Sequence, residues 1–147
     1  MSRVPLSSDE TAGVFADSFA SSLDDLGLND TCRVWNRLET VFSSPTPPSH
    51  FIYEPVSGAE ELEVIRVGGD IRIYAKIVED IPNYDIVNLF YVHQHDYTDW
   101  GLYDHAAQQR VREIRGLCSV SEVEEFLELH NTLYLEDIRD IYDEICE

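Results

Sequence analysis

The stretch DIVNLFYVHQHDYTDW, residues 85–100, begins as an apolar run and ends in polar and aromatic side chains. Residues 85–92 are rich in Ile, Val, Leu, Phe and Tyr, which predicts a buried strand. His93 and His95 then lie two residues apart, and an unperturbed histidine pKa of about 6.5 suits a general acid or base. Carboxylate, phenol and indole groups follow at Asp96, Tyr97, Asp99 and Trp100. The end of this strand is therefore the first place in the chain where chemistry is expected.

Two other interpretations of this strand end stay open. On a strand, His93 and His95 share a face, and further ligands for a divalent metal could come from Asp96, Asp99, His105 or His50. A single His-x-His pair is weak evidence for such a site, so we expect neither a metal nor a cofactor. The residues could also be ordinary polar groups that hydrogen-bond to neighbouring loops.

Charge is the strongest signal in the composition. The 147 residues include 29 acidic and 10 basic side chains, a formal net charge of -19, and Lys76 is the single lysine. Repulsion between these like charges opposes compaction in dilute salt. At 1 M salt the screening length falls to about 3 Å, and most of the repulsion is lost. The acids are spread along the whole chain, which indicates a halophilic protein. The alternative is an acidic binding protein or nucleic-acid mimic, which would concentrate the charge on one face. From Leu117 onward the chain has ten acidic residues and one basic residue, Arg139, so the C-terminal part is the most acidic.

Length and cysteine spacing limit the class of protein further. The length suits one domain with an added subdomain. No apolar run is long enough for a membrane span, and residues 1–10 do not have the pattern of a signal peptide. Cys32, Cys118 and Cys146 are widely spaced and odd in number, so we expect buried thiols, no disulfides and a cytoplasmic location.

The first fifty residues predict two helices. Residues 3–6 could form a short strand, and Ser7 with Glu10 resembles a capping box. Apolar residues then recur at helical spacing at Phe15, Phe19, Leu23 and Leu26. Gly27 would end this helix, and Asn29 or Asp30 would cap a second one. The second helix would bury a stripe that includes Trp35, before the proline-rich loop 43–50.

The pattern changes to strands after this loop. We predict strands at 51–55, 62–67, 71–79 and 85–92, with a hairpin turn at Gly68, Gly69 and Asp70. Short turns between consecutive strands predict an antiparallel meander. The fold class is therefore α+β, with an N-terminal helical hairpin packed on the meander.

A helix should follow Trp100 and end at Gly116. Beyond it, Ser121 and Glu124 form another capping box, and apolar residues continue at helical spacing to Ile145. This predicts one long helix, or two helices with a break near Asn131. We divide the chain into an α+β domain, 1–116, and an acidic amphipathic helical extension, 117–147.

The stretches LETVFSSPTPPSH and LEVIRVGGDIRIYAKI carry a likeness to a known family. Two helices, a proline-containing loop, a meander with arginines beside a glycine turn, and a final helix make the chain resemble the RelE/ParE toxin superfamily. Members include endoribonucleases that act on mRNA at the ribosome and cut it by 2′-hydroxyl attack. The resemblance implies an endoribonuclease of this type, with mRNA or the ribosome and an antitoxin protein as partners.

The resemblance also implies roles for single residues. Arg72 on the middle strand would clamp a phosphate, and His95 would be the acid or base. Tyr97 would orient the phosphate or stack on a base, and it completes the predicted catalytic set. The predicted RNA-binding residues are Arg66, which would add a second backbone contact, His93 and Trp100.

Two alternatives concern the whole chain. It could be a catalytically inactive RelE-fold binding module for another protein, or, less favoured, a metal-binding protein. A basic cluster in the folded sheet would favour the nuclease, whereas a sheet face dominated by Glu61 and Glu63 would favour the binding module. The acidic C-terminal helix could be a solvated surface, a homodimer contact, or a cover over the site.

Overall fold

The computed structural model describes residues 10–81, 83–94, 100–130 and 132–146. The fold is α+β, as predicted, and it contains a six-stranded sheet in the order β2-β3-β4-β5-β1-β6. The five α-helices lie on both faces of this sheet. The sheet is mixed rather than a purely antiparallel meander, because β1 pairs with β5 in parallel.

The N-terminal part differs from the prediction. Strand β1 is Glu10–Phe15, helix α1 is Asp17–Asp24 and helix α2 is Leu28–Ser43. A helix beginning near Ser7 was therefore wrong for residues 10–15, and residues 3–6 lie outside the described residues. The backbone of β1 pairs with β5 from Glu10↔Tyr84 to Phe15↔Leu89, a distant partner that local spacing could not reveal. Gly27 is the N-cap of α2 rather than the end of α1.

The predicted strands that follow are present. After a 3-10 turn at Pro48–Phe51 come β2, Ile52–Pro55; β3, Glu63–Val67; β4, Ile71–Ile81; and β5, Tyr84–Gln94. These four strands pair antiparallel in sequence order. Gly68 in the β3–β4 turn has a φ of 62°, a left-handed conformation that a residue without Cβ adopts at little cost.

The C-terminal part contains three helices and a short strand. They are α3, Gly101–Arg115; α4, Val120–Leu129; β6, Thr132–Leu133; and α5, Leu135–Cys146. The alternative of two helices broken near Asn131 is therefore correct. Strand β6 pairs with β1, and α5 packs on α2 with Ile138 fully buried.

Each face of the sheet has its own apolar core. One contains Phe19, Leu38 and Ile138, so α1, α2 and α5 cover that face. On the other face, α3 and α4 contribute Val111 and Phe126, among others. Because strand residues alternate between faces, β4 sends Ile71, Ile73, Ala75 and Ile77 to the first core and Tyr74 and Val78 to the opposite side.

The cysteines contradict the prediction of buried thiols. Cys32 near the start of α2 and Cys146 at the end of α5 form a disulfide, with Cα atoms 5.8 Å apart. The antiparallel packing of these helices brings together residues separated by 114 positions. Cys118 is a free thiol and is exposed. Among the described residues, no helix is both long enough and apolar enough to cross a bilayer.

Candidate functional site: an arginine pair and tyrosine cluster on one sheet face

Three cationic or titratable side chains lie side by side across the sheet. Arg66 on β3 is the register partner of Arg72 on β4, and Arg72 is the partner of His93 on β5. Strand alternation places Arg72 on the same face as Tyr74, opposite the face covered by α1 and α2. We call Arg66 and Arg72 the arginine pair.

The arginine pair is half-buried and packs against an aromatic ring. The ring of Tyr53 lies 4.4 Å from the Arg66 guanidinium carbon and 5.9 Å from that of Arg72. Within the described part of the chain, neither guanidinium forms an ion pair. Arg66 Nε and Arg72 Nη1 are buried and have no hydrogen-bond acceptor there. Buried donors are nearly always satisfied, so these atoms are suited to an external acceptor.

Several other cations of the described chain have carboxylate partners, although Arg37 does not. Lys76 Nζ lies 3.0 Å from Glu61 and 3.5 Å from Glu63, and only 14% of its side chain is exposed. It is therefore largely buried and paired with acids. Further ion pairs are Arg33 with Asp30 and Asp70, Arg110 with Glu113, and Arg139 with Glu39. Glu61 and Glu63 thus form ion pairs with Lys76 and do not dominate the sheet face of the arginine pair.

A β-bulge sets which β5 side chains accompany the arginine pair. Tyr74 pairs with Tyr91 but Ala75 pairs with Leu89, so Phe90 is an extra residue on β5. Serines of α1 satisfy the backbone around the bulge: Ser18 donates to the Phe90 carbonyl, and Ser22 accepts from the Val92 N–H at 3.0 Å. Bulges re-aim side chains in this way. Here the bulge directs both Tyr91 and His93 toward the face of the arginine pair.

Three tyrosines border the arginine pair on its α3 side. The ring centroid of Tyr91 lies 4.8 Å from that of Tyr103 and 6.4 Å from that of Tyr74. The His93 ring lies 5.0 Å from Tyr74 and 6.3 Å from Tyr91. We call Tyr74, Tyr91 and Tyr103 the tyrosine cluster. It fixes the His93 ring beside Arg72. Tyr74 is buried in the core under α3, whereas Tyr91 and Tyr103 are half-buried.

Asp104, in the first turn of α3, holds the loop that leads into β3. Its buried carboxylate accepts hydrogen bonds from the backbone N–H groups of Glu60, Glu61 and Leu62 and from the Gln108 amide. Burial alone would raise the pKa of Asp104, but these hydrogen bonds outweigh it, and the pKa is lowered. Asp104 thereby fixes α3, and with it Tyr103, relative to β3.

The structure brings together half of the predicted site residues. Arg66, Arg72 and His93 are neighbours, whereas Trp100 packs into the core under α3, where a Cβ on Gly58 would contact its indole. His95 and Tyr97 lie outside the described residues. The acidic helix α5 packs on α2, on the other side of the sheet, so the hypothesis that it covers this site was wrong.

Sequence reasoning missed Asp104 and four aromatic residues of the site, Tyr53, Tyr74, Tyr91 and Tyr103. One signal for the arginine pair was available: Arg66 and Arg72 are equally distant from the centre of the turn at Gly69, so a hairpin pairs them. The tyrosines depend on the bulge and on the docking of α3, for which no local pattern exists.

Comparisons with known proteins add no relatives. The chain matches no protein-family model, and no curated protein and no solved structure matches it either. Among the described residues, no group of three or more His, Cys, Asp or Glu side chains is placed to hold a metal ion. The site offers three kinds of chemical group: two guanidinium groups, one imidazole and several phenol rings.

Proposed function

We propose that this chain binds single-stranded RNA on the sheet face of the arginine pair and acts as a RelE-like endoribonuclease. The observation that carries the proposal is the arginine pair itself. In a chain with 29 acidic residues, two adjacent half-buried guanidinium groups have no carboxylate partner among the described residues and keep buried donors unused. Phosphate oxygens are the acceptors that match such forks in geometry and charge.

The surroundings of the pair fit a nucleotide better than an isolated anion. Tyr53 is 50% exposed, so its ring remains accessible while it contacts both guanidinium groups. Tyr91 and Tyr103, the two half-buried rings of the tyrosine cluster, lie on the other side of the pair. Unpaired bases stack on such rings, and stacking does not depend on net charge. This matters for an acidic chain, because long-range attraction to RNA is weak here and short-range contacts must supply the affinity.

The cleavage step is the part of the proposal that rests on the resemblance. A base removes the proton of the 2′-hydroxyl, the oxygen attacks the adjacent phosphate, and an acid protonates the leaving 5′-oxygen. Arg72 would stabilise the negative charge on the phosphate, and His93 or His95 would transfer protons. The order of a strand, two helices, a proline loop, antiparallel strands and a helix supports a RelE-like arrangement.

Induced expression in a high-salt host tests the proposal. We expect wild type to arrest growth and to leave cleaved transcripts, and Arg72→Gln to do neither. Arg112→Gln is the matched control, because it removes the same charge from an exposed position on α3. Normal growth and intact transcripts with wild type would contradict the nuclease.

A binding module without cleavage is the second candidate, and the packing of His93 favours it. Its ring lies against Tyr74 and Tyr91, and both of its ring nitrogens are buried, which suits packing better than proton transfer to a substrate. In that case the purified chain would bind RNA through the arginine pair, whereas the expression experiment would give no cleavage.

A further inference from the structure

A second cationic cleft lies on the opposite side of the β3–β4 hairpin from the arginine pair. It is formed between α2 and the end of the hairpin and has a volume of about 280 Å³. Its lining residues are Arg33, Asn36, Arg37, Thr40, Val67 and Gly68. The four residues from α2 follow spacings of three and four, so they lie on one face of the helix.

The composition of this cleft is unusual for the chain. About one residue in five of the sequence is acidic, yet none of the residues that line the cleft is. Four of the six carry side-chain hydrogen-bond donors: two guanidinium groups, an amide and a hydroxyl. A cleft with this lining suits a small anion with several acceptor oxygens.

Arg37 supplies the unbalanced positive charge. Its Nε donates to the Arg66 carbonyl at 3.0 Å, and its guanidinium carbon lies 5.7 Å from the centroid of the Phe51 ring. Arg37 forms no ion pair with any described residue. Its remaining donors are therefore held in place and available, so little conformational entropy is lost when an anion binds.

Arg33 and Gly68 shape the cleft. Two carboxylates, Asp30 and Asp70, hold the Arg33 guanidinium, each at 2.9 Å. A Cβ on Gly68 would collide with this guanidinium, so glycine lets the arginine lie against the turn. Arg33 is thus held at the edge of the cleft by two acids, whereas Arg37 is the arginine with no carboxylate partner among the described residues.

Asp70 is the acidic group at the turn between the cleft and the arginine pair. Its carboxylate accepts hydrogen bonds from Arg33 at 2.9 Å and from Gln94 at 2.7 Å. These contacts, Arg33 first, lower the pKa of Asp70 to about 2. Arg33 offsets only part of this charge, because the same guanidinium also pairs with Asp30.

We propose that this cleft binds a second phosphate group of the same RNA strand that occupies the arginine pair. The strand would pass over the β3–β4 turn, with one phosphodiester on the sheet face and a later one between α2 and Gly68. The inference rests on the proposed function. It extends that function by assigning Arg37, Asn36 and Arg33 to RNA binding and by requiring a strand long enough to reach both sites.

Binding of two fluorescently labelled RNAs, a dinucleotide and a single strand of about twelve nucleotides, tests the cleft. Arg37→Gln removes the charge, and Asn36→Asp adds a carboxylate without disturbing the bond from Arg37 to Arg66. Arg112→Gln is again the control, and thermal unfolding verifies that each variant is folded. We expect both cleft variants to bind the long strand about three- to tenfold more weakly, the dinucleotide unchanged, and Arg37→Gln to lower the salt slope by about 0.7.

Two different results would contradict the assignment of the cleft as a phosphate site. If both cleft variants bind the long strand like wild type while Arg72→Gln binds it weakly, the cleft assignment is wrong and the proposed function stands. If Arg72→Gln also binds like wild type, the proposed function is wrong and the cleft assignment falls with it.

Discussion

Arg72 and Lys76 lie four residues apart on β4 and point to the same face, yet their surroundings are opposite. Two carboxylates, Glu61 and Glu63, contact Lys76. No described carboxylate contacts Arg72, which instead lies beside Arg66 and near the Tyr53 ring. One strand of a strongly acidic protein therefore carries a neutralised cation and an available one.

Under the proposed function, this difference separates a structural role for Lys76 from a binding role for Arg72. A charge that is taken out of water is stabilised by a partner of opposite sign, as at Lys76. Among the described residues, no carboxylate pairs with either member of the arginine pair, and the proposed function accounts for this. In that proposal, a phosphate group of the RNA takes the place of the carboxylate.

The double variant Arg66→Gln/Arg72→Gln should produce the largest effect. Each arginine contributes charge-assisted hydrogen bonds, so we expect RNA affinity to fall by about a hundredfold. Stability should change little, because no carboxylate of the described residues loses its partner. Fluorescence anisotropy with labelled RNA and thermal unfolding measure the two quantities. A large loss of stability with unchanged RNA affinity would show that the arginine pair has a structural role and not a binding role.

Asp104→Asn should weaken the region that holds Glu61 beside Lys76. The amide cannot accept all the N–H groups that the carboxylate accepts, so we expect a loss of about 2–3 kcal/mol in the free energy of unfolding. Because folding lowers the pKa of Asp104 from its ordinary 3.8, its contribution is complete above that pH and is lost as the pH falls through the lower, folded-state value.

Urea unfolding of wild type and Asp104→Asn at a series of pH values measures this contribution. The difference between the two proteins should be constant near neutral pH and should shrink in acid below 3.8. A difference that grows in acid would contradict the hydrogen-bonding role of the carboxylate.

Lys76→Gln should affect stability and not RNA binding. It leaves Glu61 and Glu63 without their cation, and we expect a loss of about 1–2 kcal/mol in unfolding free energy. Burial raises the pKa of Glu63, whereas Lys76 lowers it, so the variant raises that pKa further. Protonation of Glu63 relieves the cost, and the loss should therefore be smaller near pH 4 than at neutral pH. If folded Lys76→Gln bound RNA more weakly than folded wild type, Lys76 would not differ from Arg72 in its role.

Tyr53→Ala should have the smallest effect. The exposed ring contacts both members of the arginine pair, so its removal takes away stacking and cation–π contacts but no phosphate contact. We expect RNA affinity to fall about fivefold, an unchanged salt slope, and nearly unchanged stability. Tyr53→Phe keeps the ring and should bind like wild type. Equal losses in both variants would mean that the hydroxyl and not the ring is used.

The β3–β4 hairpin could be predicted from sequence because its signals are local. Alternation along β4 and the glycines of the turn fix its register, and the register pairs Arg66 with Arg72. Strand β1 could not be predicted, since its partner β5 is about seventy residues away and Phe15 also fits the helical spacing of Phe19.

The rest of the site depends on packing that has no sequence signature. The extra residue Phe90 turns Tyr91 and His93 toward the arginine pair, and the serines that satisfy the bulge come from α1. Tyr103 arrives through α3, which Asp104 attaches to the loop before β3. The same holds for the disulfide, which requires α2 and α5 to pack antiparallel.

The salt dependence of RNA binding tests whether the arginine pair contacts phosphate groups. We would compare wild type with Arg66→Gln/Arg72→Gln over the salt range in which both are folded. If the arginine pair neutralises two phosphates, the slope of log affinity against log salt should be shallower by about 1.4 in the variant, about 0.7 for each contact. Parallel slopes would show that the arginine pair does not contact phosphate and would contradict the account.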